Sequence, residues 1–488
     1  MNARFFFAVS LVAAALTISP ASASAAEVEG LPPIGEPHRP VLVGPQEMTL
    51  KNGLRVIAIE RPGLPVFRAE VLIKSGAEAD PPQLSGLAHF TAGLLRRGTT
   101  TRNATQVAQE IESLGAKLEC EARWDATAIK LDCLSKNAAP ALTILADLVR
   151  HPAFAAAEIQ SERRKTLDDL RLALEEPGTI ARFTAARAAL GRSAYGHPEQ
   201  GTPASLSRVG RKDILELHGS AYRPANTLLV VAGNLTAAEA FALAEKAFGD
   251  WTSPGPAPTH ESTPAPVPSP RVLLIDMPTA GQAAVYLATP SIARGAEDYF
   301  AGKVANALLG GGYSSRLNQE IRLKRGLSYG AQSTLETRRS GGVFAAWAQT
   351  KNESAPEVVQ LIQAEIQRLA MEPVPADYLR TRQAVLAGSF ARDLETNEGY
   401  VKRVGELALY DLSLDTLEHY LDRIEEVSPA NLQSFAEKHF AGRAFTIVVA
   451  GQAKKVAEPL RALFPKLETI PLAALDLESP ELRKPSRR

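Results

Sequence analysis

The 488-residue sequence is poor in cysteine, with only two, and contains eight histidines, four methionines and three tryptophans. Two cysteines exclude a disulfide-stapled scaffold, and they form no C-x-x-C pair that would suggest a redox couple or a thiolate metal site. An excess of one charge is missing as well. Lys and Arg total 54 and Asp and Glu total 54, which leaves no basic footprint for nucleic acid or an anionic membrane surface. No G-x-x-x-x-G-K-[ST] and no strand-linked G-x-G-x-x-G occurs, which argues against nucleotide binding. Beyond the N-terminal segment no apolar run approaches the ~20 residues that a membrane span needs. Hydrophobic residues still make up 45% of the chain, enough for at least two domains with substantial cores.

What is present begins with an address. Arg4 supplies a short positive region, Phe5 to Ile18 is apolar except for Ser10 and Thr17, and Ala23-Ser24-Ala25 reads as an A-x-A cleavage site. Residues 1–26 are therefore expected to be a secretory signal peptide, the alternative being an uncleaved anchor. The mature chain is expected in the periplasm, free of membrane contact once the signal is removed. That oxidising compartment permits a disulfide between Cys120 and Cys133, which sit in KLECEARWDATAIKLDCLS, a stretch alternating like two short strands. The position of the intervening turn decides whether the sulfurs meet, and the sequence leaves it open.

Residues 252–270, TSPGPAPTHESTPAPVPSP, hold seven prolines in nineteen positions and read as an extended linker. It separates two halves of similar length, 46–251 and 271–469. The halves look alike. Val209 to Gly233 and Val427 to Gly451 both run from a helical stretch into an apolar strand ending Val-Val-Ala-Gly, and each is followed by an amphipathic helix. A repeat of this size indicates a duplicated domain rather than a solenoid. Within the first half, strands are expected at 53–60 and 66–75, then helices at 84–96 and 105–114. A strand pair surrounds the cysteines, and helices at 138–149 and 155–175 follow. Strands in neighbouring pairs mixed with helices predict an α+β fold, rich in antiparallel pairing, for each half.

Gly86-Leu87-Ala88-His89-Phe90, followed by Arg97-Gly98-Thr99, resembles the M16 family of zinc peptidases, the pitrilysin/insulinase type that includes the mitochondrial processing peptidases and small two-domain bacterial members. NGLRV at 52–56, HPEQGTP at 197–203, YRPAN at 222–226 and LGGGYSSRL at 309–317 extend the resemblance over essentially the whole mature chain. The family's chemistry needs H-x-x-E-H on one helix, where two His at i and i+4 grip the metal and the Glu deprotonates its water. Only His89 is kept. Ala92 stands at the catalytic Glu, Gly93 at the second His, and Asp169 where the resemblance places a downstream Glu ligand; Glu162 matches another acidic position. No two of the eight histidines lie at helical ligand spacing, so no metal is expected in this chain.

The second half keeps what the first has lost. Arg325-Gly326-Leu327-Ser328-Tyr329 resembles the family element whose Arg and Tyr reach the substrate backbone beside the zinc, which implies that role for Arg325 and Tyr329. The resemblance thus implies a non-catalytic, substrate-binding subunit of a heterodimeric periplasmic metallopeptidase. Its peptide substrate would be cleaved at zinc held by a partner with an intact H-x-x-E-H. The alternatives are a peptide-binding or assembly protein with no proteolytic role, and a residual homodimeric peptidase using His89 and Asp169.

Overall fold

Among the described residues, twelve strands fold into two six-stranded sheets of the same design. The computed structural model describes residues 39, 41–253 and 266–485; residues 1–26 and most of the proline-rich stretch 252–270 lie outside the described residues. The first sheet takes β1 (Gln46–Thr49), β2 (Arg55–Glu60), β3 (Val66–Ile73), β4 (Lys117–Ala122), β5 (Thr127–Leu134) and β6 (Thr227–Gly233) in the order β1-β2-β6-β3-β5-β4. The second takes β7 (Val272–Asp276), β8 (Ala283–Ser291), β9 (Ala331–Arg338), β10 (Gly341–Thr350), β11 (Thr446–Gly451) and β12 (Glu468–Pro471) in the order β12-β7-β11-β8-β10-β9. The orders superimpose strand for strand over β2-β6-β3-β5-β4 and β7-β11-β8-β10-β9. Among the described residues, the parallel strand pairs are β2 with β6, β11 with β7, and β12 with β7. Each half is α+β and built largely on antiparallel pairing.

The Val-Val-Ala-Gly segments are the central strands β6 and β11, and every residue of both is buried. A strand covered on both faces reads as a continuous apolar run, which explains their sequence. Their covers come partly from the opposite half. The Pro177–Leu190 helix, encoded in the first half, packs on β8 and β11 of the second sheet and buries nine of its fourteen residues. Reciprocally, the Asn397–Leu409 helix of the second half packs on β6 and β3. A Cβ on its Gly405 would stand 3.0 Å from Leu72 Cδ1, so that small residue sets the approach. Each half therefore supplies a helix to the other's core, and the segment Val41–Arg488 forms one compact unit.

One buried carboxylate anchors the join. Asp125, buried in the β4–β5 turn, accepts hydrogen bonds from Tyr195 Oη at 2.6 Å, Tyr410 Oη at 3.0 Å and the Arg339 backbone N–H at 3.0 Å. Three donors match a carboxylate that has been taken out of water.

The disulfide left open by the sequence does not form. The β4–β5 register sets Cys120 opposite Ile129, whereas Cys133 lies opposite Phe67 of β3. The cysteines are thus four positions apart along neighbouring strands, about 13 Å at ~3.4 Å per residue and well beyond the ~7 Å Cα limit for a bridge. Both are free thiols, and burial pushes Cys120 up to about 12, so neither is a ready nucleophile.

Candidate functional site

The Leu87–Leu95 helix carries the motif. Gly86 enters it with φ of 87°, a left-handed conformation suited to glycine, and Asp80 caps its start by accepting from the Gly86 and Ala88 N–H groups at 2.7 and 2.8 Å. His89 lies on the wall of a cavity between the sheets, and burial lowers its pKa, so the ring is neutral at pH 7. The Ala122 carbonyl, at the end of edge strand β4, faces it. Three and four positions further on, Ala92 brings a methyl group and Gly93 brings no side chain.

A carboxylate stands close to Gly93. A Cβ there would lie 3.0 Å from Glu162 Oε1, which projects from the neighbouring Ala156–Ala173 helix. Glu162 is 5% exposed, and its other oxygen receives Arg97 Nε at 2.9 Å and Nη2 at 2.5 Å, so its charge is already matched. Asp169, one and a half to two helical turns beyond, is directed elsewhere: its side chain is 61% exposed and paired with Lys165 at 2.7 Å. The structure brings Glu162 to the motif helix and leaves Asp169 in solvent. Among the described residues no group of three or more His, Cys, Asp or Glu is placed to hold a metal ion.

The glycine-rich element of the second half does not continue as a regular α-helix. Asn318–Leu323 forms a π-helical turn, a geometry that recurs at functional sites. Asn318 is buried at its start; its amide donates to the Tyr313 carbonyl at 2.5 Å and its Oδ1 accepts from Ala331 N–H at 3.2 Å, which ties both ends of the loop together. Tyr329 stands at the far end of that loop and is 90% exposed. Arg325 turns back on its own helix, with Nη1 on the Glu320 carbonyl at 3.0 Å and on the Glu320 carboxylate at 2.6 Å. Arg322, which sequence reasoning passed over, lines the same groove as Tyr329 and rests its guanidinium 4.7 Å from the centre of the Tyr313 ring. The two arginines thus differ in surroundings, one on the groove and one on Glu320. An ordinary helical reading of RLKRGLSY gives no signal for choosing between them.

Comparison with known proteins places this arrangement. Residues 55–197 match the family model described as Insulinase (Peptidase family M16), and residues 208–386 match Peptidase M16 inactive domain. This chain belongs to the M16 peptidase family. An uncharacterized zinc protease of Mycobacterium leprae is 28% identical over 84% of this chain and 93% of its own length. The uncharacterized zinc protease YmxG of Bacillus subtilis is 23% identical over 80% and 95%. A crystal structure of a peptidase M16 inactive domain from Pseudomonas fluorescens superimposes with a TM-score of 0.79 at 27% identity, covering 84% of this chain and 98% of that one. A protease from Helicobacter pylori shares the fold, with a TM-score of 0.78 at 21% identity.

Within the M16 pattern, the residues present do not fit a hydrolytic zinc ion. Such a site needs about three protein ligands and an open position. Here one imidazole remains, the second His position carries no side chain and has beside it a carboxylate that Arg97 already neutralises, and the third lies on the surface against Lys165. Ala92 cannot accept a proton, so even a loosely held ion would lack its general base. The first half is an M16 scaffold without the M16 metal chemistry.

Proposed function

We propose that this chain is the non-catalytic, substrate-binding subunit of a heterodimeric M16 metallopeptidase of the periplasm. The observation that carries the reading is the motif helix itself: His89 stands alone, Ala92 and Gly93 offer neither base nor ligand, and the Glu162 carboxylate beside Gly93 is already held by Arg97. The metal position has lost its ligands and its nearest carboxylate is paired with Arg97, while the substrate element of the other half stays presented to solvent through Tyr329.

The division of labour follows from those two facts. A partner with an intact H-x-x-E-H supplies zinc and base, and the metal there activates the water that attacks the peptide. This chain contributes donors. Tyr329 Oη is free to hydrogen-bond the oxyanion that forms on attack, and a guanidinium of the same turn holds a peptide carbonyl. Arg322 lines the groove beside Tyr329, and Arg325 stands behind it on Glu320. Relatives described as zinc proteases support a peptidase setting.

The test is to recover the tagged mature chain from its native periplasm and assay the eluate for chelator-sensitive peptide hydrolysis. Activity that co-elutes and disappears when the chain is purified to homogeneity is expected. A stable partner complex without hydrolysis would replace this reading with that of a peptide-binding or assembly protein.

A further inference from the structure

The groove beside Tyr329 has a volume of about 600 Å³ and is bounded by the loop Gly310 to Tyr313, by Arg322 of the π turn and by the start of β9. Glycine lets the loop lie this close to its neighbours. A Cβ on Gly310 would stand 2.2 Å from Ser333 N and one on Gly311 would stand 2.7 Å from Ala307 Cα, whereas Gly312 faces open space.

The groove is electrostatically one-sided. Among the described residues that line it, Arg322 carries the only charge. Its guanidinium is half-buried, rests on the Tyr313 ring, and has no ion pair or hydrogen bond among the described residues. Glu320, the carboxylate of the same turn, is taken by Lys324 and by Arg325 at 2.6 Å. The side-chain carbonyls of the two asparagines in the lining are spent as well. Asn306 Oδ1 accepts from Ser333 Oγ at 2.8 Å, and Asn318 Oδ1 from Ala331 N–H at 3.2 Å. A free cation beside the Tyr329 hydroxyl, with no carboxylate in the wall to answer it, is matched by a ligand that is negatively charged and made of acceptors.

We propose that this groove selects substrates by a carboxylate, which Arg322 receives, so that peptides carrying an acidic group are preferred. The proposal deepens the subunit reading and rests on it for the ligand being a peptide. The planar fork of a guanidinium matches both oxygens of a carboxylate, whereas a neutral amide offers it one oxygen and no charge. Stacking on Tyr313 steadies that plane. With five N–H donors, Arg322 can hold a carboxylate and still reach a backbone carbonyl. An acidic side chain and a free C-terminus present the same chemistry, and the choice of probes separates them.

The test is titration calorimetry on the purified mature chain with acetyl-Ala-Glu-Ala-amide, its Gln and Lys analogues, and acetyl-Ala-Ala-Ala bearing a free carboxylate. The Glu probe is expected to bind about fivefold or more tighter than the Gln probe and the Lys probe to bind most weakly, with added salt shrinking the difference. Arg322→Gln should abolish the preference, and Arg322→Lys, which keeps the charge and loses the fork, should retain part of it. Tighter binding of the free-carboxylate probe than of the Glu probe would support the site with the peptide C-terminus as its source. If neither carboxylate probe outbinds the Gln probe, or none binds at millimolar concentration, the proposal is overturned; the natural sequence alone decides this should a variant misfold. The readout needs no partner. A carboxylate preference in a chain whose complexes never hydrolyse peptide would keep this site and remove the subunit reading, and hydrolysis without the preference would do the reverse.

Discussion

The Glu162 carboxylate oxygen lies 3.0 Å from the point where a side chain at Gly93 would begin. The two residues are on different helices, and a side chain at 93 would press on the carboxylate, which would have to give way along with its Arg97 pair. Gly93→His should therefore fail to restore metal binding. Overpacking beside this ion pair is expected to cost about 1–3 kcal/mol, read as a lower urea midpoint, with zinc content by atomic emission staying well below one per chain. Stoichiometric zinc in that single variant would show that the site can still hold a metal.

Arg322, in the π turn, and Arg325, just beyond it, make a sharper comparison. Arg322 borders the groove of Tyr329, whereas the Arg325 guanidinium is engaged by Glu320. In a partner complex, Arg322→Ala is expected to lower kcat/KM by the value of a charge-assisted hydrogen bond, about 1.5–3 kcal/mol, or more than tenfold. Arg325→Ala should cost less than Arg322→Ala, because it acts through the shape of the turn. The reverse order, measured by steady-state hydrolysis of one peptide, would return the substrate role to Arg325.

Glu199 sets a pH dependence. Burial raises its pKa from 4.5 to about 7, against the pull of Arg338 and Arg182. A carboxyl with a folded pKa above its unfolded one binds more protons when folded between those values. Its contribution is fully present below about pH 4.5 and is lost as pH rises through 7. Glu199→Gln should then be more stable than the natural sequence at pH 8, by at most about 3 kcal/mol, with the gap closing by pH 4.5. Urea unfolding at the two pH values checks both the sign and the convergence.

Asp125 holds Tyr195, Tyr410 and the Arg339 N–H at the junction of the sheets. Its replacement by Ala leaves buried donors unmatched, and a loss of about 2–4 kcal/mol is expected in chemical unfolding. Asp125→Asn should recover part of it, since the amide oxygen still accepts.

Some of this was legible in the residues and some was not, for reasons that lie in particular elements. Val230 to Gly233 and Val448 to Gly451 announce the duplication because a strand buried on both faces writes itself as an uninterrupted apolar run. The loss of the metal motif is equally visible, because H-x-x-E-H is local to one helical turn. The Pro177–Leu190 helix gives no such notice. Buried on most sides, it lacks a polar stripe, and nothing in its sequence tells that the sheet it covers belongs to the other half. The separation of Cys120 from Cys133 rests on strand register, which the turn at Arg123 to Ala126 decides and composition does not. The carboxylate beside Gly93 and the presentation of Arg322 beside Tyr329 are products of tertiary packing, so they emerge only in three dimensions.

The most direct measurement is chelator-sensitive peptide hydrolysis by the chain alone, by its partner alone, and by the two together, with Tyr329→Phe in parallel. The account predicts activity only in the mixture, zinc only in the partner, and a mixture containing Tyr329→Phe that still assembles but turns over at least about tenfold more slowly. Hydrolysis by the isolated chain, or a Tyr329→Phe mixture as fast as the natural one, would contradict it.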